Sequence, residues 1–495
     1  MDPQNNENNS VSRRRFLQTT GTTAAAVAAA AQMASTNRLI ASPEPTVILP
    51  GFGRAKSVIC LYLYGAPSQM ETLDPKPEAP AEQQGGIKSI STSLPGIAAS
   101  ELLPNISKNL HRVALLRSMT HSSNNHAVSV ALSGLSKSAP AIEANGMDQR
   151  HWPYFGSVLE YLWSHQNTTE LNPGIPMNML LPWSLNHFSD PPRWSPHAAW
   201  LGRQFNPVIP RFDGKGSLEI GFPDSRGISR FDPFHGMTPE STFRMDGAEL
   251  PKDVDPARLA SRQQLLAAVN QAAPGVAEKQ LTSFSNFQQS AFDMIANPKV
   301  VEALDVSKEP RQIRDRYGLT LFGQSALAAR RLVEAGVRVV TAIWDDYKVG
   351  NNAWDTHNNH FPRIKDGLCP IFDQVLPAFL DDMESRGLLE DTLVMVISEH
   401  GRTPKITETT GGGREHWSGA YWGMFFGAGI KTGQVIGATD KQGAYPISHP
   451  TDPKDILATM YHLLGIDPHH TTIPDRQLRP TRLIPHGSAV KELLV

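Results

Sequence analysis

The stretch Val394-Met-Val-Ile-Ser-Glu-His-Gly-Arg-Thr-Pro404 decides how this chain folds and where its chemistry lies. It continues an apolar, β-branched run from Thr392 to Ile397, the length of a buried strand, which stops abruptly at Ser398. The strand therefore delivers Glu399 and His400 together at its carboxyl end. In open α/β sheets that end faces the crevice where ligands bind. Gly401 lets the backbone turn, and residues on a loop no longer alternate strictly between two faces. A carboxylate oxygen and a neutral imidazole nitrogen suit zinc, iron or manganese. In a chain with seventeen histidines one such pair is weak evidence, because it is most often a solvated loop.

Two neighbouring stretches strengthen it. Upstream, Val337 to Trp344 reads as a strand and is followed by Trp354-Asp355-Thr356-His357. Downstream, Gly411-Gly-Gly-Arg-Glu-His416-Trp417 sets another histidine on a glycine-rich loop before the apolar run Tyr421 to Phe426. Acid and imidazole groups thus gather at strand ends in one third of the chain, and Asp355, His357, Glu399, His400 and His416 become candidate metal ligands. Nearer the start, the strand-like Arg112 to Arg117 leads into Ser118-Met-Thr-His121-Ser-Ser-Asn-Asn-His126 and a small-residue helix ending at Gly134. Strand, polar turn and helix in that order make a plausible site loop.

The rest of the chain frames these motifs. Ser12-Arg13-Arg14-Arg15-Phe16-Leu17 and the alanine-rich run after it resemble a twin-arginine export signal, so residues 1–41 read as signal and linker. That predicts a periplasmic or secreted protein, with the twin-arginine machinery as a transport partner and no membrane span in the mature part. Residues 42–495 form one large α/β unit, in which 182–251, rich in Pro, Gly, Trp and Phe, is a loop-rich insertion, a candidate wall or lid of the site. Helical spacing appears at Ala99–Leu110, Tyr154–His165, Pro256–Ala272, Ala277–Ala296, Leu319–Ala335, Phe361–Arg386 and Asp455–Leu464. Strands alternate with helices as βαβ units require. A formal net charge of −2 and the lack of a basic stripe argue against nucleic acid. Cys60 and Cys369 read as buried small hydrophobes.

Six motifs, taken together, resemble one family: Gly65-Ala-Pro-Ser-Gln69, Leu73-Asp-Pro-Lys-Pro77, Trp354-Asp-Thr-His357, Ser398 to Pro404, Gly413-Arg-Glu-His-Trp417 and the segment from Gly427-Ala-Gly-Ile-Lys-Thr-Gly433 to Asp440. It is the exported bacterial family called domain of unknown function 1501, grouped with the alkaline phosphatase and sulfatase superfamily. The resemblance implies an alkaline-phosphatase-like three-layer sandwich with a mostly parallel central sheet. It also implies a divalent metal, zinc first, with iron, manganese or calcium as alternatives. By that likeness Glu399 and His400 stand for a paired Asp-His ligand set, His416 for a later lone histidine, and Asp355 and His357 for an upstream acid and histidine, with His360 a rival to His357. Two departures stand out: the first strand ends in Gly65-Ala66-Pro67 without an acid, and Asn124 falls where a nucleophile is expected. Ser123 or Ser122 would then supply the hydroxyl, or water activated by the metal would replace it.

The function expected is hydrolysis of phosphate or sulfate esters, small or glycan-borne, with Arg402 pairing to the oxyanion. The alternative is an inactive relative that binds anionic glycans, with Trp183, Trp194 and Trp200 stacking on sugar rings, or an envelope scaffold. Packing under a long loop explains those tryptophans as well.

Overall fold

Seven strands form the centre of the computed structural model. They are β1 (Ser57–Leu63), β2 (Ala114–Met119), β3 (Asn178–Leu181), β4 (Val339–Trp344), β5 (Thr392–Ile397), β6 (Tyr421–Phe426) and β7 (Gln434–Ile436). Their order is β7-β2-β6-β5-β1-β4-β3. Strand β1 lies parallel to both β4 and β5, β3 to β4, and β7 to β2, while β6 alone runs antiparallel, between β2 and β5. All six residues of β4 and of β5 are buried, as strands covered on both faces must be, which explains their unbroken apolar runs.

The structure describes residues 49–134, 145–165, 174–188, 194–221, 231–247, 297–348 and 352–495, with six helical positions between 258 and 268. The export segment 1–41 and the helix expected at 277–296 lie outside them, as does most of that expected at 256–272. Leu49–Val495 is one compact unit. No helix among the described residues is long and apolar enough to cross a membrane.

Helices form two layers about the sheet. The helices α1 (Pro104–Asn109), α2 (Val128–Ser133), α3 (Phe155–His165), α4 (Leu321–Glu334), α5 (Cys369–Ser385) and α6 (Pro453–Leu463) follow the chain. Helix α4 packs on β4 and β1 and against α5, which covers α1; α2 and α6 pack on each other. This is the mixed α/β sandwich with a mostly parallel sheet that the sequence implies. Some elements are cut differently. Pro104 begins α1 rather than interrupting a longer helix, because a first-turn proline lacks only an N–H that the helix leaves unused. The helix expected over Phe361–Arg386 is three pieces, His360–Arg363, a π turn at Ile364–Leu368 and α5. Asp452 caps α6 in a capping box with Asp455.

The described part of the insertion holds little regular structure, chiefly the strand pair Arg211–Asp213 and Thr242–Arg244. Trp183 is 8% exposed and Trp194 1%. Trp183 Nε1 donates to Asp345 at 2.9 Å, and Trp200 Nε1 donates to the Pro474 carbonyl at 2.7 Å. Trp183 and Trp194 pack beneath loops, so the sugar-stacking role considered for them does not fit their burial, whereas Trp200 is half-buried.

Strands β1, β2, β4 and β5 all point the same way, so the loops after them emerge at one end of the sheet. The antiparallel β6 begins at that end, which brings His416 there too. Every candidate ligand therefore issues from one rim.

Candidate metal centre

Glu399 is fully buried just beyond β5, and its oxygens are held from β1 and from the turn that follows it. The Tyr62 hydroxyl donates to Oε2 at 3.0 Å and the Gly65 N–H to Oε1 at 2.7 Å. Gly65 has φ 85°, and a Cβ there would come within 2.2 Å of the Asp355 nitrogen. Glycine is thus required for the end of β1 to touch the Asp355 loop.

His400, also fully buried, donates from Nδ1 to the Gly401 carbonyl at 2.8 Å, because a carbonyl can only accept. Its Nε2 is then a lone pair, and that buried atom has no hydrogen-bond partner. Burial holds His400 well below the usual imidazole range, helped by the charges of His416, Arg402 and His126. A neutral, orphaned nitrogen is what a metal ligand needs.

Asp355 is the hub of the neighbouring group. His126 Nε2 lies 3.1 Å from its Oδ2, while His357 and His416 approach Oδ1 at 2.9 and 3.2 Å. Burial alone would raise its pKa, but Arg402 and His126 outweigh it and hold the carboxyl well below the ordinary range. Burial likewise opposes charge on His126, yet Asp355 and Glu399 lift it to about 9. A cation is favoured between these carboxylates.

Two donor groups result: His126, Asp355, His357 and His416 in one, His126, Glu399 and His400 in the other, with the donor atoms in each within 4.8 Å of one another. The five ligands read from the sequence come together here. His126, which joins both groups, is the one the sequence reading passed over; its only signal was its place in the polar loop after β2. His360 is elsewhere, bonded to Thr356 at 2.6 Å and to Glu71 at 3.2 Å.

Residues 55–494 match the family described as a protein of unknown function, DUF1501. The chain belongs to that family. No curated protein matches this DUF1501 chain. Among solved structures it is similar to a sulfatase from Pseudoalteromonas sp., at 11% identity and a TM-score of 0.38, covering 90% of this chain and 72% of that one. It is similar also to a protein in the alkaline phosphatase superfamily from Vibrio parahaemolyticus, at 11% identity and a TM-score of 0.37, covering 86% and 71%. The chemistry of this DUF1501 protein therefore rests on its own residues.

The family motifs hold those residues in place. Arg402 is fully buried, and its guanidinium donates to the carbonyls of Gly65, Ala66 and Arg414 and to Asp355 Oδ1 at 2.5 Å. With its fork thus occupied, Arg402 positions Asp355, which corrects the oxyanion-binding role read from sequence. Gln69 reads the Arg402 backbone from both sides, accepting from its N–H at 3.0 Å and donating to its carbonyl at 2.8 Å. Glu415 bonds His357 Nδ1 at 2.5 Å, leaving Nε2 to face the cluster. A carboxylate behind a ligating histidine fixes its tautomer and orientation. In the loop before His126, Ser123 is buried and its N–H donates to His121 Nδ1 at 3.1 Å, while His121 Nε2 donates to the Glu399 carbonyl at 2.6 Å. Ser122 beside it is exposed.

Proposed function

We propose that this protein is an exported, metal-dependent hydrolase of phosphate or sulfate esters, with ester-bearing glycans as its substrate class. The observation that carries the reading is the orphaned Nε2 of His400, buried where His126, His416, Asp355 and Glu399 converge. A site built only for ion pairing would have no use for that bare lone pair.

The donor set fits a divalent metal. Four imidazoles and two carboxylates are rich in nitrogen, and both Glu399 oxygens already accept hydrogen bonds, from Tyr62 and Gly65. That favours zinc, with iron or manganese next, over calcium, which takes six to eight oxygen ligands. Bound there, the metal supplies Lewis acidity toward an ester oxygen. The protein's own groups do the rest. Tyr62 and Gly65 fix Glu399, Arg402 fixes Asp355, and Glu415 fixes His357. Ser123, with Ser122 as the alternative, is the hydroxyl offered by the loop that also carries His126. The twin-arginine segment directs the folded, loaded protein to the periplasm or beyond it.

The test is the metal content of mature protein purified without chelator, beside His400→Ala, followed by turnover of aryl phosphate, phosphodiester and aryl sulfate. The expected result is stoichiometric metal in the wild type, its loss in the variant, and metal-dependent release of phenol from at least one ester. A folded protein that neither contains nor takes up metal would refute the proposal. A metal-loaded protein inert toward all three esters would leave a binding protein.

A further inference from the structure

Asp355 is held by arginine at both ends, Arg402 at its carboxylate and Arg363 at its backbone. Arg363 is buried, and its guanidinium donates to the Ala353 carbonyl at 2.6 Å and, less closely, to the Asp355 carbonyl at 3.4 Å. One planar fork thus spans the peptides on either side of the Trp354–Asp355 unit. The N–H groups between are tied as well, that of Trp354 to the Tyr64 carbonyl at 3.1 Å and that of Asp355 to the Asn352 carbonyl at 2.7 Å.

The conformation held in this way is a costly one. Ala353 is buried at φ 44°, in the left-handed region that a residue with a Cβ seldom adopts. Such a residue persists only where its surroundings over-determine it, and strain of this kind gathers at functional sites. Its carbonyl is the one that Arg363 grips more closely. Trp354 cannot slide to relieve it, because its ring is locked in the core, edge-on to Trp344 at 5.3 Å. What the clamp fixes is therefore the direction in which Asp355 leaves the chain.

The helix after the loop is shaped to bring Arg363 there. Arg363 closes the short helical piece that starts at His360, and the π turn Ile364–Leu368 separates it from α5. A π turn holds one residue more than an α turn, which rotates whatever precedes it by about 100° relative to an unbroken helix. Without that rotation residue 363 would leave the helix on another side.

We propose that Arg363 is a positioning residue for the metal centre: by clamping the carbonyls of Ala353 and Asp355 it sets the Asp355 carboxylate among His126, His357 and His416. The proposal rests on the metal reading above and adds to it a side chain that acts through the backbone. The planar fork is essential, since a single ammonium does not span both carbonyls.

The experiment is cobalt uptake by chelator-stripped mature protein, read by visible absorption, which reports the geometry of the ligands, and by competition with a chelator. The proteins are the wild type, Arg363→Gln, Arg363→Lys, and Arg363→Gln combined with Ala353→Gly, with melting temperatures of the metal-free forms recorded alongside. Arg363→Gln should bind cobalt roughly tenfold more weakly and with shifted bands. Arg363→Lys should show the same bands as Arg363→Gln, and it carries the test if Arg363→Gln does not fold. Adding Ala353→Gly should restore affinity and spectrum, because glycine holds φ 44° without a clamp. That rescue separates the clamp from a general loss of structure. Wild-type affinity and bands in Arg363→Gln or Arg363→Lys would overturn the proposal. So would a double variant no better than Arg363→Gln, since the strained carbonyl would then not be what Arg363 holds. A wild type that takes up no cobalt would defeat the metal reading and the clamp with it, whereas equal uptake by the wild type and both Arg363 variants would defeat the clamp alone.

Discussion

Glu71 shows how a single buried charge supports the site without entering it. It is 3% exposed, and its oxygens meet the Ser68 hydroxyl at 2.5 Å, His360 Nε2 at 3.2 Å and the Arg414 guanidinium. Burial would raise its pKa from 4.5, but Arg414 and His360 prevail and lower it to about 2. Because the folded value is depressed, the stability it contributes is complete above the unfolded value, and it is lost as pH falls from about 4.5 through about 2. A shift of that size corresponds to about 3 kcal/mol at neutral pH. Glu71→Gln should therefore lower urea stability by about 3 kcal/mol at pH 7, and the gap from wild type should narrow steadily below about pH 4.5. Parallel unfolding midpoints from pH 7 to pH 3 check it, and a gap that stays constant would mean that Glu71 contributes through shape rather than charge. The same contact explains why sequence left His360 and His357 as rivals. Both follow Asp355 within five residues, and only the fold shows that one faces Glu71 and the other Asp355.

At the scale of elements, the junction of β1 with the Asp355 loop is the narrowest fit. An alanine in place of Gly65 would have to hold a backbone φ of 85°, and its methyl group would press within 2.7 Å of the Asp355 Cβ. Gly65→Ala should cost about 2 kcal/mol of stability from backbone strain. It should also weaken metal binding roughly 10–100-fold, because Asp355 moves and the N–H that holds Glu399 turns away. Metal titration beside thermal unfolding separates the two effects, and a destabilised variant with unaltered metal affinity would show that the contact is only structural. Strands were legible in the sequence for a simple reason: runs such as Thr392–Ile397 must be apolar throughout when both faces are covered. Asp355, His357, Glu399, His400 and His416 followed from those runs, whereas His126, in the polar loop after β2, did not. Less was legible wherever tertiary contact decides. The π turn at Ile364–Leu368 brings Gly367 against His235, where a Cβ would lie 2.7 Å from Nε2, and no local pattern announces it. Arg402 could be read as an oxyanion partner or a loop salt bridge, because the carbonyls that occupy it come from Gly65, Ala66 and Arg414, which no local pattern announces. Trp183 and Trp194 were indistinguishable from stacking residues until their burial was known.

For the whole molecule, the candidate centre joins the ends of β1, β2, β4 and β5 with the start of β6, so it draws on segments as distant as Gly65 and Glu399, which are 334 positions apart. A ligand bound there and absent from the unfolded chain stabilises everything that must assemble to make it. At a free metal concentration one hundred times the dissociation constant the gain is about 2.7 kcal/mol. For a unit the size of Leu49–Val495 the unfolding entropy is about 0.9 kcal/mol per degree, so the melting temperature should rise by about 3 °C. Scanning calorimetry of chelator-stripped protein, before and after adding zinc, measures that shift. His400→Ala should abolish it, since the orphaned Nε2 is removed. Uptake should also release protons, because His126 lies at about 9 between its carboxylates and must deprotonate to ligate. Titration in two buffers of different ionisation enthalpy reads that release. A stabilising shift that persists in His400→Ala would place the metal elsewhere on the molecule. No shift and no proton release in the wild type would reduce the cluster to a network of ion pairs.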